Sequence, residues 1–399
     1  MLAHTPNPLR RHEGPTCREG FGLEVARTVL AYHRSWPGYA PTPAVSLPAL
    51  ASHLGVAHLT VKDESGRFGL RAFKSLGGTY GLGRYLMRTW GLGDNADFPT
   101  LRARAAHEAP VTFVTATDGN HGVGIAWAAR MLGQKARVFM PAGSTRARVR
   151  AVEAAGAAVT VTERHYDETV AIAAEAAAHD GGILAQDTVF GRECDMPLAI
   201  MQGYLTLASE MFRPESEPSC PPPTHVTLQA GVGSFAASIM AFVAARFRPD
   251  PPVFVLVEPT SAACFYESAR RGTGQLVAMP GPFETVMAGL SCGVGNPLAW
   301  DILRDLTDVF VRVDDRVTAR GMRILAHPSA GDPRIVAGES GAVGLGLLSV
   351  VMEEPRYQDL RASLRLGASS RVLVVNTEGA TDPTVYRQII GDGRLPWDP

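Results

Sequence analysis

The stretch Val111-Thr112-Phe113-Val114-Thr115, then Ala116-Thr117-Asp118-Gly119-Asn120-His121-Gly122, then an alanine-rich run from Ile125 to Leu132, reads as strand, turn and helix in succession. A short β-branched and aromatic run suits a buried strand, and the glycine-bearing turn ends it. The same order continues outward from it. Ala136–Met140 predicts a strand, Arg146–Ala155 a helix stopped by Gly156, and Ala158–Thr162 a strand. Thr169–His179 predicts a helix and Gly182–Gln186 a strand. The pattern resumes with strand Val226–Gln229, tight loop Gly231–Ser234 and helix Phe235–Phe247. Val253–Val257, helix Gly341–Met352 and strand Arg371–Asn376 complete it. Such alternation predicts an α/β fold with mostly parallel sheets, helices on both faces, and two sheets in all. Pro214–Pro223 carries five prolines and predicts a linker or surface loop. Ligands of open α/β sheets bind beyond the carboxyl ends of strands, so the strand-to-helix turns are where chemistry is expected.

The bulk properties narrow the function. A chain of 399 residues has the length of two domains. Its net charge of −1 gives no reason to expect nucleic acid or an anionic membrane as a partner. The longest nearly unbroken apolar run, Ala236–Ala245, falls far short of the roughly 20 residues that cross a bilayer. The first residues lack a basic start followed by an apolar core, which leads us to expect a cytoplasmic enzyme. The five cysteines form no C-x-x-C pair, so neither a metal site nor a redox motif is expected. Only three of 38 basic residues are lysine: Lys62, Lys74 and Lys135. An amine can shed its proton and form an imine, which a guanidinium does not do. The bias therefore raises interest in each of the three without choosing among them.

Six segments carry candidate chemistry. Lys74 is flanked by Phe73 and Leu76 and opens a predicted helix. Desolvation would lower its pKa and make it a nucleophile; a lysine snorkelling from a helix end is the plainer reading. The turn Thr117–Gly122 offers backbone N–H groups at a helix start, suited to a carboxylate or phosphate. Asp118 is unexpected beside an anion, and helix capping is its plainer role. Gln229-Ala230-Gly231-Val232-Gly233-Ser234 follows a strand and precedes a helix, so it is either a phosphate cup or a tight turn. Gln186-Asp187-Thr188, Gly338–Ala342 and Asn376–Pro383 are further turns that serve equally as caps or as parts of a site.

Taken together and in order, these segments resemble fold-type II (tryptophan-synthase-β-like) pyridoxal-phosphate enzymes, and within them the diaminopropionate ammonia-lyase family. Lys62–Ser65, Arg67–Leu70, Ala72-Phe73-Lys74, Thr117–Gly122, Gln186-Asp187-Thr188 and Ile200–Tyr204 carry the resemblance. So do Gln229–Ser234, Met287–Leu290, Gly338–Gly346 and Thr377–Pro383. The resemblance implies two open, mostly parallel α/β/α domains. A large cofactor-binding domain would comprise residues 1–88 plus 224–399. A small mobile domain, 89–223, would carry the Asp118-Gly119-Asn120 turn and Asp187. It implies pyridoxal 5'-phosphate held by Lys74 as a Schiff base. Asn120 would meet the ring oxygen, Gly231, Val232, Gly233 and Ser234 the phosphate, and Thr377 the ring nitrogen. Thr117, Gly119 and His121 would bind a small amino-acid substrate. Asp118, where dehydratases usually carry serine, would favour a substrate with a second ammonium. Asp118 and Asp187 would flank opposite substrate faces, each taking the Cα proton of one enantiomer. The activity implied is elimination of ammonia from 2,3-diaminopropionate, giving pyruvate and two ammonia, in a homodimer. The resemblance also places Glu339 near the ring and hints at a Cys264–Cys292 bridge. The segment Val189–Pro197 departs from the family pattern and is expected at the mouth of the site. Rival readings are a serine or threonine dehydratase, a β-substituted alanine synthase, or a catalytically silent binding module.

Overall fold

The computed structural model describes residues 2–11, 20–192, 194–212, 221–391 and 393–396. Eleven strands are formed among them. They are β1 Leu2–Pro6, β2 Ala44–Ser46, β3 His58–Asp63, β4 Thr112–Ala116, β5 Lys135–Met140 and β6 Ala158–Val161. The rest are β7 Ile183–Leu184, β8 His225–Gln229, β9 Val253–Pro259, β10 Val309–Val313 and β11 Arg371–Asn376.

A seven-stranded sheet runs β1-β10-β9-β8-β11-β3-β2. Its five inner strands are parallel, while β1 and β2 join the edges antiparallel. β8 is buried at every residue, as expected of a strand covered on both faces. The second sheet, β6-β5-β4-β7, is wholly parallel. The strand expected over Gly182–Gln186 pairs only at Ile183 and Leu184. Beyond them the Gln186 side chain takes over the pairing. Its Oε1 accepts from Ala116 N at 3.1 Å and Thr115 Oγ1 at 2.8 Å, and its Nε2 donates to Ala116 O at 3.2 Å. The backbone is thereby released at Asp187.

The helix Arg146–Ala155 and the strand Arg371–Asn376 have the expected bounds. Helix Asn120–Met131 begins earlier than the Ile125 expected, because the turn residues themselves enter the first helical turn. Pro221–Pro223 are irregular, as expected of a linker, and the expected loop residues 214–220 lie outside the described residues. No helix among the described residues is long and apolar enough to cross a membrane.

Two helices fix the site between the sheets. Lys74–Thr89 crosses Asn120–Met131 at backbone contact distance. A Cβ on Gly78 would lie 2.9 Å from Gly124 O, and one on Gly124 would lie 3.0 Å from Lys74 O. Side chains at these positions would drive the helices apart. The close crossing brings Lys74 and Asn120, the first residues of their helices, to one place.

Candidate active site

The carboxyl ends of β4, β7, β8 and β11 converge on one cleft of about 810 Å³, its open mouth included. Lys74, Thr117, Asp118, Gly119, Asn120, His121 and Asp187 line it. So do Gly231, Val232, Gly233, Ser234 and Thr377. Every site residue expected from the sequence therefore reaches the same space.

Lys74 is the one lysine among the cleft's lining residues. Lys135 is exposed at the start of β5. Lys62 is enclosed with Glu210, at 2.7 Å, and Glu64, at 3.7 Å. The Lys74 Nζ forms an ion pair with Asp187 Oδ2. It also lies 5.6 Å from the Phe73 ring and 6.0 Å from the Tyr204 ring. Lys74 is not the neutral amine that desolvation alone predicts. Burial does pull the Lys74 ammonium down, but Asp187 and Tyr204 more than reverse it, and the group stands above an ordinary lysine. Asp187 is driven up by burial, yet Lys74 and His121 bring it below the usual aspartate value. Two opposite charges in a confined space each hold the other ionised.

Asp118 behaves differently. It does not cap its helix: the cap position is Gly119, without any side-chain cap. Thr117 Oγ1 instead accepts Gly119 N at 2.9 Å and Gly122 N at 3.1 Å, shaping the turn and turning Asp118 toward the cleft. Burial pushes the Asp118 carboxyl up to about 7; Arg148 and Lys74 oppose the rise, and Asp167 and Asp187 add to it. Of these two aspartates, Asp187 is thus firmly ionised and Asp118 is balanced near its titration point at neutral pH.

His121 Nε2 bonds the Ala185 carbonyl at 2.8 Å, so that nitrogen carries the proton. Its Nδ1 is buried without a partner, 4.0 Å from Asp187 Oδ2. Burial lowers the imidazole's pKa, ahead of the opposing pull of Asp187. Ser234 Oγ donates to the Asp187 carbonyl at 2.5 Å and accepts from Asn296 Nδ2 at 2.8 Å. The glycine loop and the Asp187 strand end are therefore tied together.

The 231–234 loop stands at the N-terminus of helix Ser234–Arg246, which has Gly233 at its cap and no side chain capping it. Gly233 has φ +87°, and a Cβ there would meet Phe265 Cζ at 2.5 Å. A Cβ on Gly231 would lie 2.9 Å from Gly289 O. Thr377 Oγ1 accepts from Gln229 Nε2 at 3.0 Å, which leaves its own proton to donate. Ser340 Oγ, in the cleft wall, is buried without a partner. An uncapped helix start, a glycine loop and unspent polar atoms form a cradle fit for a phosphorylated group.

Arg148, Tyr166, Cys292 and Glu378 also line the cleft. Thr377–Pro383 had been singled out as a segment, but nothing in the sequence marked Arg148 or Tyr166, which sit on ordinary helices. Glu339 is buried close to Glu378, and burial first, then Glu378, pushes it up to about 7. None of the described residues of 189–197 lines the cleft, contrary to expectation. Residues 190–192 are exposed, while helix Asp195–Gly203 starts within that segment and turns Met196 and Pro197 inward as it packs against Lys74–Thr89. Cys264 and Cys292 are buried free thiols, not a bridge. Burial pushes both well above an ordinary thiol, which keeps them protonated and slow to exchange.

Comparison with known proteins agrees with this geometry. The family described as pyridoxal-phosphate dependent enzyme matches residues 35–378. Diaminopropionate ammonia-lyase of Salmonella typhimurium is 45% identical over 374 residues, covering 93% of this chain and 93% of that protein. The crystal structure of diaminopropionate ammonia-lyase from Escherichia coli in complex with D-serine superposes with a TM-score of 0.92. It is 40% identical and covers 99% of this chain and 98% of that one. The same enzyme in complex with an aminoacrylate–PLP azomethine reaction intermediate gives a TM-score of 0.89 at 40% identity, covering 99% and 98%.

Proposed function

Because this chain belongs to the pyridoxal-phosphate-dependent enzyme family, we infer that its cleft eliminates ammonia from 2,3-diaminopropionate, yielding pyruvate and two ammonia. It is a carbon–nitrogen lyase with pyridoxal 5'-phosphate as cofactor and a small amino acid as substrate. One observation carries the reading: two carboxylates from different strand ends, Asp118 and Asp187, face the single lysine of the cleft wall.

The cradle accepts the cofactor. We propose that Lys74 holds it covalently and that the backbone of Gly231, Val232, Gly233 and Ser234 holds its phosphate. Asn120 would meet the ring oxygen, and Thr377 would donate to the ring nitrogen. When bound, pyridoxal phosphate supplies an electron sink that makes the substrate Cα proton removable. The remaining work falls to the protein. Asp187 Oδ2 contacts Lys74 Nζ and would hold that nitrogen as an ammonium whenever it is not bonded to the cofactor. Asp118 and Asp187 stand ready to take a Cα proton, one for each enantiomer. The β-amine leaves only when protonated, departing as neutral ammonia, and nearby carboxylates stabilise that protonated form before the bond breaks. Thr117, Gly119 and His121 would shape the substrate seat. The enamine released hydrolyses to pyruvate and the second ammonia.

We also propose the division into domains 1–88 with 224–399 and 89–223, the second mobile, and a homodimer in the cytoplasm. The family resemblance supports the division and the dimer. The decisive assay measures ammonia and keto acid from D- and L-diaminopropionate, serine and threonine. Two ammonia per pyruvate from diaminopropionate are expected. Faster turnover of serine or threonine, with one ammonia per keto acid, would make the chain a dehydratase instead.

A further inference from the structure

We propose that Glu378 is a positioning residue that sets the orientation of Asn120 toward the cofactor. This rests on the reading above, in which Asn120 meets the ring oxygen of pyridoxal phosphate.

Glu378 lies two residues beyond the end of β11 and is 4% exposed. Its oxygens are divided between two loops. Oε1 accepts from Ser340 N at 2.9 Å, and Oε2 accepts from Asn120 Nδ2 at 2.5 Å. Its backbone is equally committed: Gly338 N donates to its carbonyl at 2.8 Å, and an antiparallel bridge joins it to Ala72, two residues before Lys74. The carboxylate is therefore fixed by the large-sheet loops before it reaches Asn120. Asn120 comes from the other sheet and is only half-buried.

An ionised carboxylate can only accept, so the Asn120 amide must turn its nitrogen toward Glu378. One N–H is then spent, and the second stays on the same nitrogen. A ring phenolate also can only accept, and so it needs that second N–H. With the amide turned over, Asn120 would offer carbonyl oxygen to both anions. Glu378 thus selects the donor face of Asn120, through a charge-assisted bond of the stronger kind. A carboxylate that only stitched the two sheets together through Asn120 would leave the pH midpoint of the bound cofactor's visible band where it is.

The test uses wild type, E378Q, N120A and the double variant. Two quantities are read: the affinity of apoenzyme for pyridoxal phosphate, and the pH midpoint of the bound cofactor's visible band. Glutamine keeps the size but cannot accept from both Ser340 N and Asn120 Nδ2. We expect E378Q to weaken the cofactor about tenfold and to move the midpoint, with the double variant no worse than N120A. The proposal falls if E378Q binds within about twofold of wild type while N120A is weakened. It falls equally if the two losses multiply in the double variant. If N120A itself changes neither reading, the role of Asn120 is wrong and Glu378 goes with it. Should E378Q fail to fold, E378D, which keeps the charge and shortens the reach, is put through the same cycle.

Discussion

Two lysines of this chain are withdrawn from water beside carboxylates, and they do opposite jobs. Lys62 has a side chain 1% exposed, bonded to Glu210 Oε2 at 2.7 Å and the Thr42 carbonyl at 2.6 Å. Arg67 completes the set, with Glu64 at 2.8 Å and Glu210 at 2.7 Å. Two cations and two anions cancel, and their hydrogen-bonding capacity is largely spent. Lys74 is 18% exposed, has one carboxylate partner, and faces a cleft. Burial alone does not mark the reactive amine. What separates them is how many partners hold the ammonium and whether space is left for a new bond.

The largest expected effect breaks the pair apart by substitution. Lys74→Ala should cut turnover on the order of 10^4-fold and abolish borohydride fixation of cofactor, while the protein stays folded. Lys62→Met should do the reverse. It leaves Glu210 and Glu64 facing Arg67 alone, at a cost of about 3–5 kcal/mol in urea unfolding. The folded fraction should keep its turnover per bound cofactor. If borohydride still fixes cofactor to the Lys74 variant, the contrast is wrong.

Next comes the partner. Asp187→Asn removes the carboxylate paired with Lys74, and Asp118→Asn removes the neighbouring one. Each should cost about 10^2–10^4-fold on one enantiomer of diaminopropionate and much less on the other. Equal losses on both enantiomers in both variants would leave the two aspartates as general electrostatics and remove the two-base reading.

The same contrast explains what could be read in the sequence. β4, β5, β8, β9 and β11 were legible because their apolar runs end at glycine, proline or polar turns. β3 and β10 obey the same packing but were not read as strands, although a basic residue within the run is no bar in itself, since β5 was legible with Arg137 inside it. The Lys62 charge is hidden in the fold only because Glu210 arrives from far along the chain. In the site, residues on strand-to-helix turns were legible because such turns expose N–H groups. Arg148 and Tyr166 were not, since only tertiary packing turns an ordinary helix residue into a cleft wall. The Lys74–Asp187 pair was the real gap. Each residue was singled out, but desolvation was expected to govern Lys74, and the proximity of Asp187 overrides it.

A smaller effect tests the uncharged side of the cleft. Gly231→Val puts a side chain against the Gly289 carbonyl, where even a Cβ would lie at 2.9 Å. Cofactor affinity should fall about 10–100-fold, with Lys74 still fixed by borohydride at saturating cofactor. Unchanged affinity would move the phosphate elsewhere.

The smallest effect is a difference in pH dependence, and it turns on the two aspartates. Burial pushes Asp118 up to about 7, whereas Lys74 and His121 bring Asp187 below its usual value against burial. Below about pH 7 Asp118 holds its proton and cannot act as a base; Asp187 remains able to. The enantiomer served by Asp118 should therefore slow about tenfold per pH unit below that point, and the other should not share this limb. Stability carries the matching sign. Between 3.8 and about 7 the folded chain binds a proton at Asp118 that the unfolded chain has lost. This contribution is full at low pH and disappears as pH rises through about 7. Asp187 works the other way, stabilising above the ordinary aspartate range and losing that as pH falls. Asp118→Asn should erase both the kinetic limb and its share of the stability slope. Rate profiles for the two enantiomers, taken with urea midpoints from pH 4 to 8, measure both. A limb common to both enantiomers, or one that survives Asp118→Asn, would assign it to another group.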